Sequence, residues 1–199
     1  MDFTAFALYV FVMTFTPGPN NIMSMTIASK HGFMRALPFD VGVFVGFAII
    51  LAVCAAFSSV LYDVIPSIEP YMLCLGAAYM LWLAWSVWRD VPHEGGPART
   101  GSMTSAIVLQ FVNVKGILYA LTTMTSYVLP WYRGLPVLGF VLALPMVALV
   151  STCCWALFGA SFERVLKRHG RVLDVIMALL LVWCAVTMLC DVPDSIHGR

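Results

Sequence analysis

Lys115 is the residue in this sequence that most needs a chemical explanation. It lies deep inside Thr100 to Tyr132, a stretch otherwise free of Asp, Glu, Lys and Arg. A cation at the centre of a bilayer costs about 2.5–3.5 kcal/mol on insertion scales, so such a residue faces a cavity and has a partner. Three duties fit it: holding a substrate carboxylate, losing its proton during a cycle, or anchoring carbonyls of a broken helix. Its neighbours Asn113, Val114 and Gly116 form an interruption in the apolar stretch. A second interruption, Thr16-Pro17-Gly18-Pro19-Asn20-Asn21, falls inside the first apolar stretch. Proline there removes backbone donors and clashes with the preceding turn, so a helix cannot run straight through.

The polar residues at these interruptions define a candidate binding set: Pro17, Gly18, Pro19, Asn20, Asn21, Gln110, Asn113 and Lys115. Gln110 and Asn113 are spaced i, i+3 and share a helix face. Asp40 is a second charge expected inside the membrane, one turn into an apolar stretch. Either it relays protons, or it reaches the headgroup region or pairs with Arg35. Asp40 and Lys115 are therefore the candidates for proton coupling. No catalytic residue is expected, since no Ser-His-Asp arrangement can be assembled and no glycine-rich phosphate loop is present. The six cysteines include no Cys-x-x-Cys and none falls in an interrupted stretch. The four histidines lie in connectors or the tail and lack metal-site spacing. No metal or cofactor is expected.

These residues must be positioned by elements suited to lipid. Of 199 residues, 61% are hydrophobic and only 11% are charged. A soluble domain carries about 45–50% apolar and about 25% charged residues. An ordinary soluble enzyme and a disordered chain are thereby excluded. The net charge of +1 gives no electrostatic case for a nucleic-acid partner. A bilayer-crossing helix needs about 20 mostly apolar residues, and six stretches qualify: Phe3 to Ser29, Val41 to Tyr62, Pro70 to Trp88, Thr100 to Tyr132, Gly134 to Phe162, and Val175 to Cys190 extended back to Val172. The expected fold is an all-α membrane protein, a single transmembrane domain over residues 1–199. The lipid bilayer is thus its first partner. The first stretch has no basic n-region and is too long for a cleaved signal peptide.

Eight of the eleven Lys and Arg residues fall in the connectors after spans one, three and five. Positive residues stay cytoplasmic, so both termini are expected outside. The interruptions fall in spans one and four, the first spans of two three-span halves. Pro17 aligns with Val114 and Gly42 with Gly139 at one offset. Repeat one covers about residues 1–90, a connector about 90–103, repeat two about 104–191 and a short tail 192–199. Odd-numbered halves insert upside down relative to each other, giving a 3+3 inverted-topology repeat with broken first and fourth helices. In transporters of that design, matched interruptions mark the binding site. Gly42-x-x-x-Gly46 allows close helix approach, either between the repeats or in a homodimer.

The run Thr16-Pro17-Gly18-Pro19-Asn20, followed by Gly32, Gly42 and Gly46, resembles the LysE/RhtB translocator family of amino-acid exporters. Asn113-Val114-Lys115 is similar to that family's Asn-Pro-Lys element. The resemblance covers nearly the whole chain. It implies efflux of small neutral amino acids, such as cysteine or O-acetylserine, from the cytoplasm across the bacterial inner membrane by proton antiport. Two departures stand out. Val114 replaces the usual proline, so the second break would rest on Asn113 and Gly116. Phe47 stands where many relatives follow the glycine with an aspartate, leaving Asp40 and Lys115 to carry coupling. Two other readings are compatible with the composition: a thiol-redox carrier using paired cysteines, and a passive channel or metal-ion exporter on the same fold.

Overall fold

The computed structural model of the chain describes residues 2–89, 102–161 and 170–197. The connector glycines, Arg99, Arg164, Lys167, Arg168 and Arg199 fall outside these residues. Among the described residues every regular element is helical. In chain order they are α1 (Phe3–Phe15), α2 (Pro19–His31), α3 (Phe33–Arg89), α4 (Met103–Val112), α5 (Val114–Thr122), a π-helical turn (Thr123–Val128), α6 (Leu135–Ser161) and α7 (Gly170–His197).

Local chemistry explains where the helices start and stop. The Asp2 carboxylate accepts from the N–H groups of Thr4 and Ala5 and opens α1. Thr16 leaves helical geometry at ψ 151° and Gly18 is fully extended, so Pro17 and Gly18 separate α1 from α2. Pro19 then starts α2, at a first-turn position where its missing N–H costs nothing. Gly32, at φ 86°, is the single residue between α2 and α3, a conformation that any β-carbon would strain. The second break needs no proline. Asn113 ends α4 and also caps α5, its Oδ1 accepting from the Gly116 N–H at 3.2 Å, and the α4–α5 axis bends by 67° there.

Among the described residues two helical stretches are long and apolar enough to cross a bilayer, Phe33–Phe57 and Leu135–Ser161, and the bent α4–α5 pair makes a third if taken as one span. The first expected span does not count as one helix because of its break. At 1.5 Å per residue α1 is only about 20 Å long, short of a hydrocarbon core of about 30 Å. Its continuation α2 carries Asn20, Asn21, Ser24, Thr26, Ser29 and Lys30. Spans two and three also join differently from the expectation. The backbone leaves helical angles at Phe57 (φ −120°, ψ 24°) and is helical through the charged stretch expected as the connector. Charge marks a segment that prefers water; it does not choose the residue at which the backbone turns. At the other end α7 is helical to His197, through most of the expected tail.

Two apolar clusters form the core, and the helix breaks divide them. One gathers Ile22 and Met25 of α2, Phe39 and Val43 of α3, Leu109 of α4, Ala156 of α6 and Leu181 of α7. The other gathers Val10 of α1, Phe47 and Leu51 of α3, Tyr119 of α5, Met124 and Val128 of the π turn, and Leu144 of α6. Broken helices contribute one limb to each cluster. Close packing comes from glycines. A β-carbon at Gly42 would strike the Met103 carbonyl oxygen and come within 2.7 Å of the Ala106 β-carbon, and one at Gly46 would meet Gln110 Cγ at 2.7 Å. Gly42 and Gly46 therefore seat α3 against α4. On α6, Gly159 is pressed in the same way against the Met25 backbone of α2.

Candidate functional site

The first break exposes the last carbonyls of α1, which have no partner within that helix. Most of them are met by residues at the break or on α6. Thr16 returns its N–H and Oγ1 to the Val12 carbonyl. The Thr14 carbonyl accepts from Asn21 Nδ2 at 2.8 Å and from Ser151 Oγ at 2.8 Å. Trp155 Nε1 donates to the Phe15 carbonyl at 3.2 Å. The Thr16 carbonyl accepts from Asn21 Nδ2 at 2.9 Å. Asn21 thus holds the break open by bonding the helix end it follows. Replacing it with leucine, of similar shape but without donors, is expected to cost about 1–3 kcal/mol through the carbonyls it leaves short. The check is a thermal melt of detergent-purified protein, with a drop of several degrees expected.

Lys115 crosses from the second break to the first. Its Nζ donates to Thr16 Oγ1 at 2.7 Å and lies 3.4 Å from the Thr16 carbonyl oxygen. It also covers Gly18, where a β-carbon would come within 3.3 Å of Nζ. Gly18 begins α2 with no side chain to cap it, and Pro19 has no N–H, so the N–H groups of Asn20 and Asn21 have no side-chain cap at the helix end that the lysine covers. Those groups and the helix dipole favour an anion. The second break is asymmetric with the first, because Asn113 already caps α5.

The amides expected to act together have separate duties. Asn20 of α2 and Gln110 of α4 pair face to face, Asn20 Nδ2 donating to Gln110 Oε1 at 3.1 Å and Gln110 Nε2 to Asn20 Oδ1 at 3.0 Å. Gln110, fully buried, also donates to the Ala106 carbonyl. Asn21 and Asn113 are engaged by the breaks themselves. All four nonetheless line one small cavity with Gly18, Pro19 and Lys115, of about 50 Å³ and partly open to the outside. Pro17 is exposed and does not line it.

Asp40 also stands outside the lining. It is 0% exposed, with Ser24, Thr152 and Cys153 facing its carboxylate, and its Oδ1 has no hydrogen-bond partner. Thr152 lines the cavity, so Asp40 sits one side chain behind its wall. Sequence reasoning missed several residues here. Ser151 and Trp155 of α6 were indistinguishable from other membrane-helix residues. Phe47 and Tyr119 line the cavity and stack on one another, with ring centroids 5.3 Å apart and 11° between planes. From there an aromatic column continues through Tyr9, Tyr127 and Phe6. The six cysteines are free thiols, and among the described residues no group of three His, Cys, Asp or Glu side chains is placed to hold a metal ion.

This arrangement can hold a small zwitterion by its carboxylate at the meeting point of two broken helices. The chain is 39% identical over 185 residues to the cysteine/O-acetylserine efflux protein of Escherichia coli (strain K12), covering 92% of this chain and 95% of the relative. The same identity and coverage hold for the cysteine/O-acetylserine efflux protein of Shigella sonnei (strain Ss046). No solved structure gives a significant match. The family model described as LysE type translocator matches residues 11–192. The chain belongs to the LysE type translocator family.

Proposed function

We propose that this protein exports small neutral amino acids, cysteine and O-acetylserine first among them, from the cytoplasm across the bacterial inner membrane by proton antiport. The observation that carries the reading is Lys115 of one helix break lying over the uncapped start of α2 at the other. A substrate carboxylate would take the place of Thr16 on the lysine and accept from the open N–H groups of α2. Asn20 and Gln110 are close enough to exchange their mutual bonds for bonds to the substrate. No metal or organic cofactor is called for; the proton gradient supplies the work.

In this proposal the chain spans the membrane six times as a 3+3 inverted repeat. α1 with α2 and α4 with α5 are the broken spans, and the two limbs of α3 count separately. Support comes from packing: α3 lies on α4 and α5 while α6 lies on α1 and α2, pairings that an exchange of the two halves would interconvert. Lys30 and Arg35 lie at the opposite end of the first span from the N-terminus, which agrees with both termini in the periplasm. Any homodimer forms on other faces, because Gly42 and Gly46 are covered by α4.

Asp40 is the coupling carboxylate in this scheme, and Lys115 is the group that meets the substrate. Asp40→Asn keeps the shape but cannot give up a proton. Purified protein in proteoliposomes is expected to retain exchange of labelled cysteine for unlabelled cysteine within about threefold. It is expected to lose accumulation driven by an imposed pH gradient, which depends on a proton-bearing group. Undiminished driven accumulation would remove Asp40 from the coupling path.

A further inference from the structure

The cavity has a lining of two kinds. Lys115, the start of α2 and the Asn20–Gln110 pair are polar, and beside them the stacked rings of Phe47 and Tyr119 form an aromatic part of the wall. Tyr119 is 4% exposed, and its hydroxyl is buried with no hydrogen-bond partner. A buried hydroxyl left unbonded is a standing cost, and a phenylalanine would fill the same stack without it. Among the described residues Lys115 is the one charged side chain lining the cavity. The lining therefore offers no carboxylate to balance a second positive charge on a substrate.

We propose that Tyr119 determines which side chain the transporter accepts. Its hydroxyl bonds the polar group of a short, uncharged side chain: a thiol, a hydroxyl or an ester carbonyl. The Phe47 and Tyr119 rings cover the methylene between that group and the α-carbon. The substrate class is thus an amino acid with one neutral polar group one or two bonds beyond its β-carbon. Long aliphatic and cationic amino acids are excluded. This inference rests on the exporter reading above, and its test is chosen so that the two fail differently.

The experiment compares wild type with Tyr119→Phe in proteoliposomes, using cysteine, O-acetylserine and alanine at concentrations below saturation. Alanine shares the carboxylate and ammonium groups but has nothing for the hydroxyl to bond. Wild type is expected to favour cysteine and O-acetylserine over alanine by about fivefold to tenfold, the worth of one hydrogen bond. Tyr119→Phe is expected to bring that preference within about twofold while melting no lower than wild type. An unchanged preference, or a parallel fall for all three substrates, overturns the role of Tyr119. Wild type that moves none of the three overturns the exporter reading itself, a result seen before any variant is compared.

Discussion

Lys115→Ala is expected to lower export of cysteine or O-acetylserine about 10- to 150-fold, the range for losing one hydrogen bond to a charged group of about 1.5–3 kcal/mol. Among the described residues the lysine is the only cation that lines the cavity, and it stands beside the open end of α2. Without it, a carboxylate entering a low-dielectric cavity would have only the helix N–H groups to replace its water. The fold should tolerate the change. The Thr16 carbonyl keeps its bond from Asn21, and Thr16 Oγ1 keeps its own bond to the Val12 carbonyl. Lys115→Arg keeps the charge but brings a wider, planar head against Gly18, already within 3.3 Å of a β-carbon position. Partial export, between wild type and Lys115→Ala, is the expected result. Export measured in cells loaded with each amino acid, with membrane levels checked by blot, separates loss of function from loss of protein.

A second large effect is expected where α3 packs on α4. Gly42→Val would drive two methyl groups into the Met103 carbonyl and the Ala106 β-carbon, backbone and near-backbone atoms that cannot rotate away. Overpacking costs about 1–3 kcal/mol even where side chains can adjust, and more where they cannot. A loss of about 3 kcal/mol corresponds to a fall in Tm of about 6–12 °C for a chain of this length. Gly139→Val is the internal control. It occupies the matching position of the second half, yet nothing lies within 4 Å of a β-carbon there, so its Tm should stay within about 2 °C of wild type. Fluorescence-detected melting of the two variants side by side checks the pair.

How much of this could be read from sequence depends on the kind of signal each residue sends. The first break was legible because Pro17, Gly18 and Pro19 act through their own backbone chemistry. The second was legible through Asn113 and Lys115 despite Val114. Its 67° bend shows that a capping asparagine is enough to end one helix and begin another. That the two breaks meet in one cavity followed from repeat logic, and the lining unites seven of the eight expected binding residues. The division of labour among the amides was not legible. Asn20, Asn21, Gln110 and Asn113 look alike in sequence, and only their neighbours in space decide which caps a helix and which pairs with another amide. Asp40 looked shallow by its distance along the span, whereas the packing of α2 and α6 around it removes it fully from solvent. Tyr119 was hidden for the opposite reason: an aromatic residue in an apolar helix is ordinary until its hydroxyl proves to have no partner.

The central claim is that the substrate carboxylate sits between Lys115 and the start of α2. Competition by a substrate without that carboxylate tests it most directly. Proteoliposomes holding the wild-type protein would take up labelled cysteine under an imposed pH gradient while unlabelled cysteine or cysteinamide is added. Cysteinamide keeps the thiol and the amino group but carries no negative charge. The expected result is accumulation of cysteine above its equilibrium level, with cysteinamide competing at least about tenfold more weakly than cysteine. Equal competition by cysteinamide, or uptake that stops at equilibrium with the gradient in place, would contradict the account.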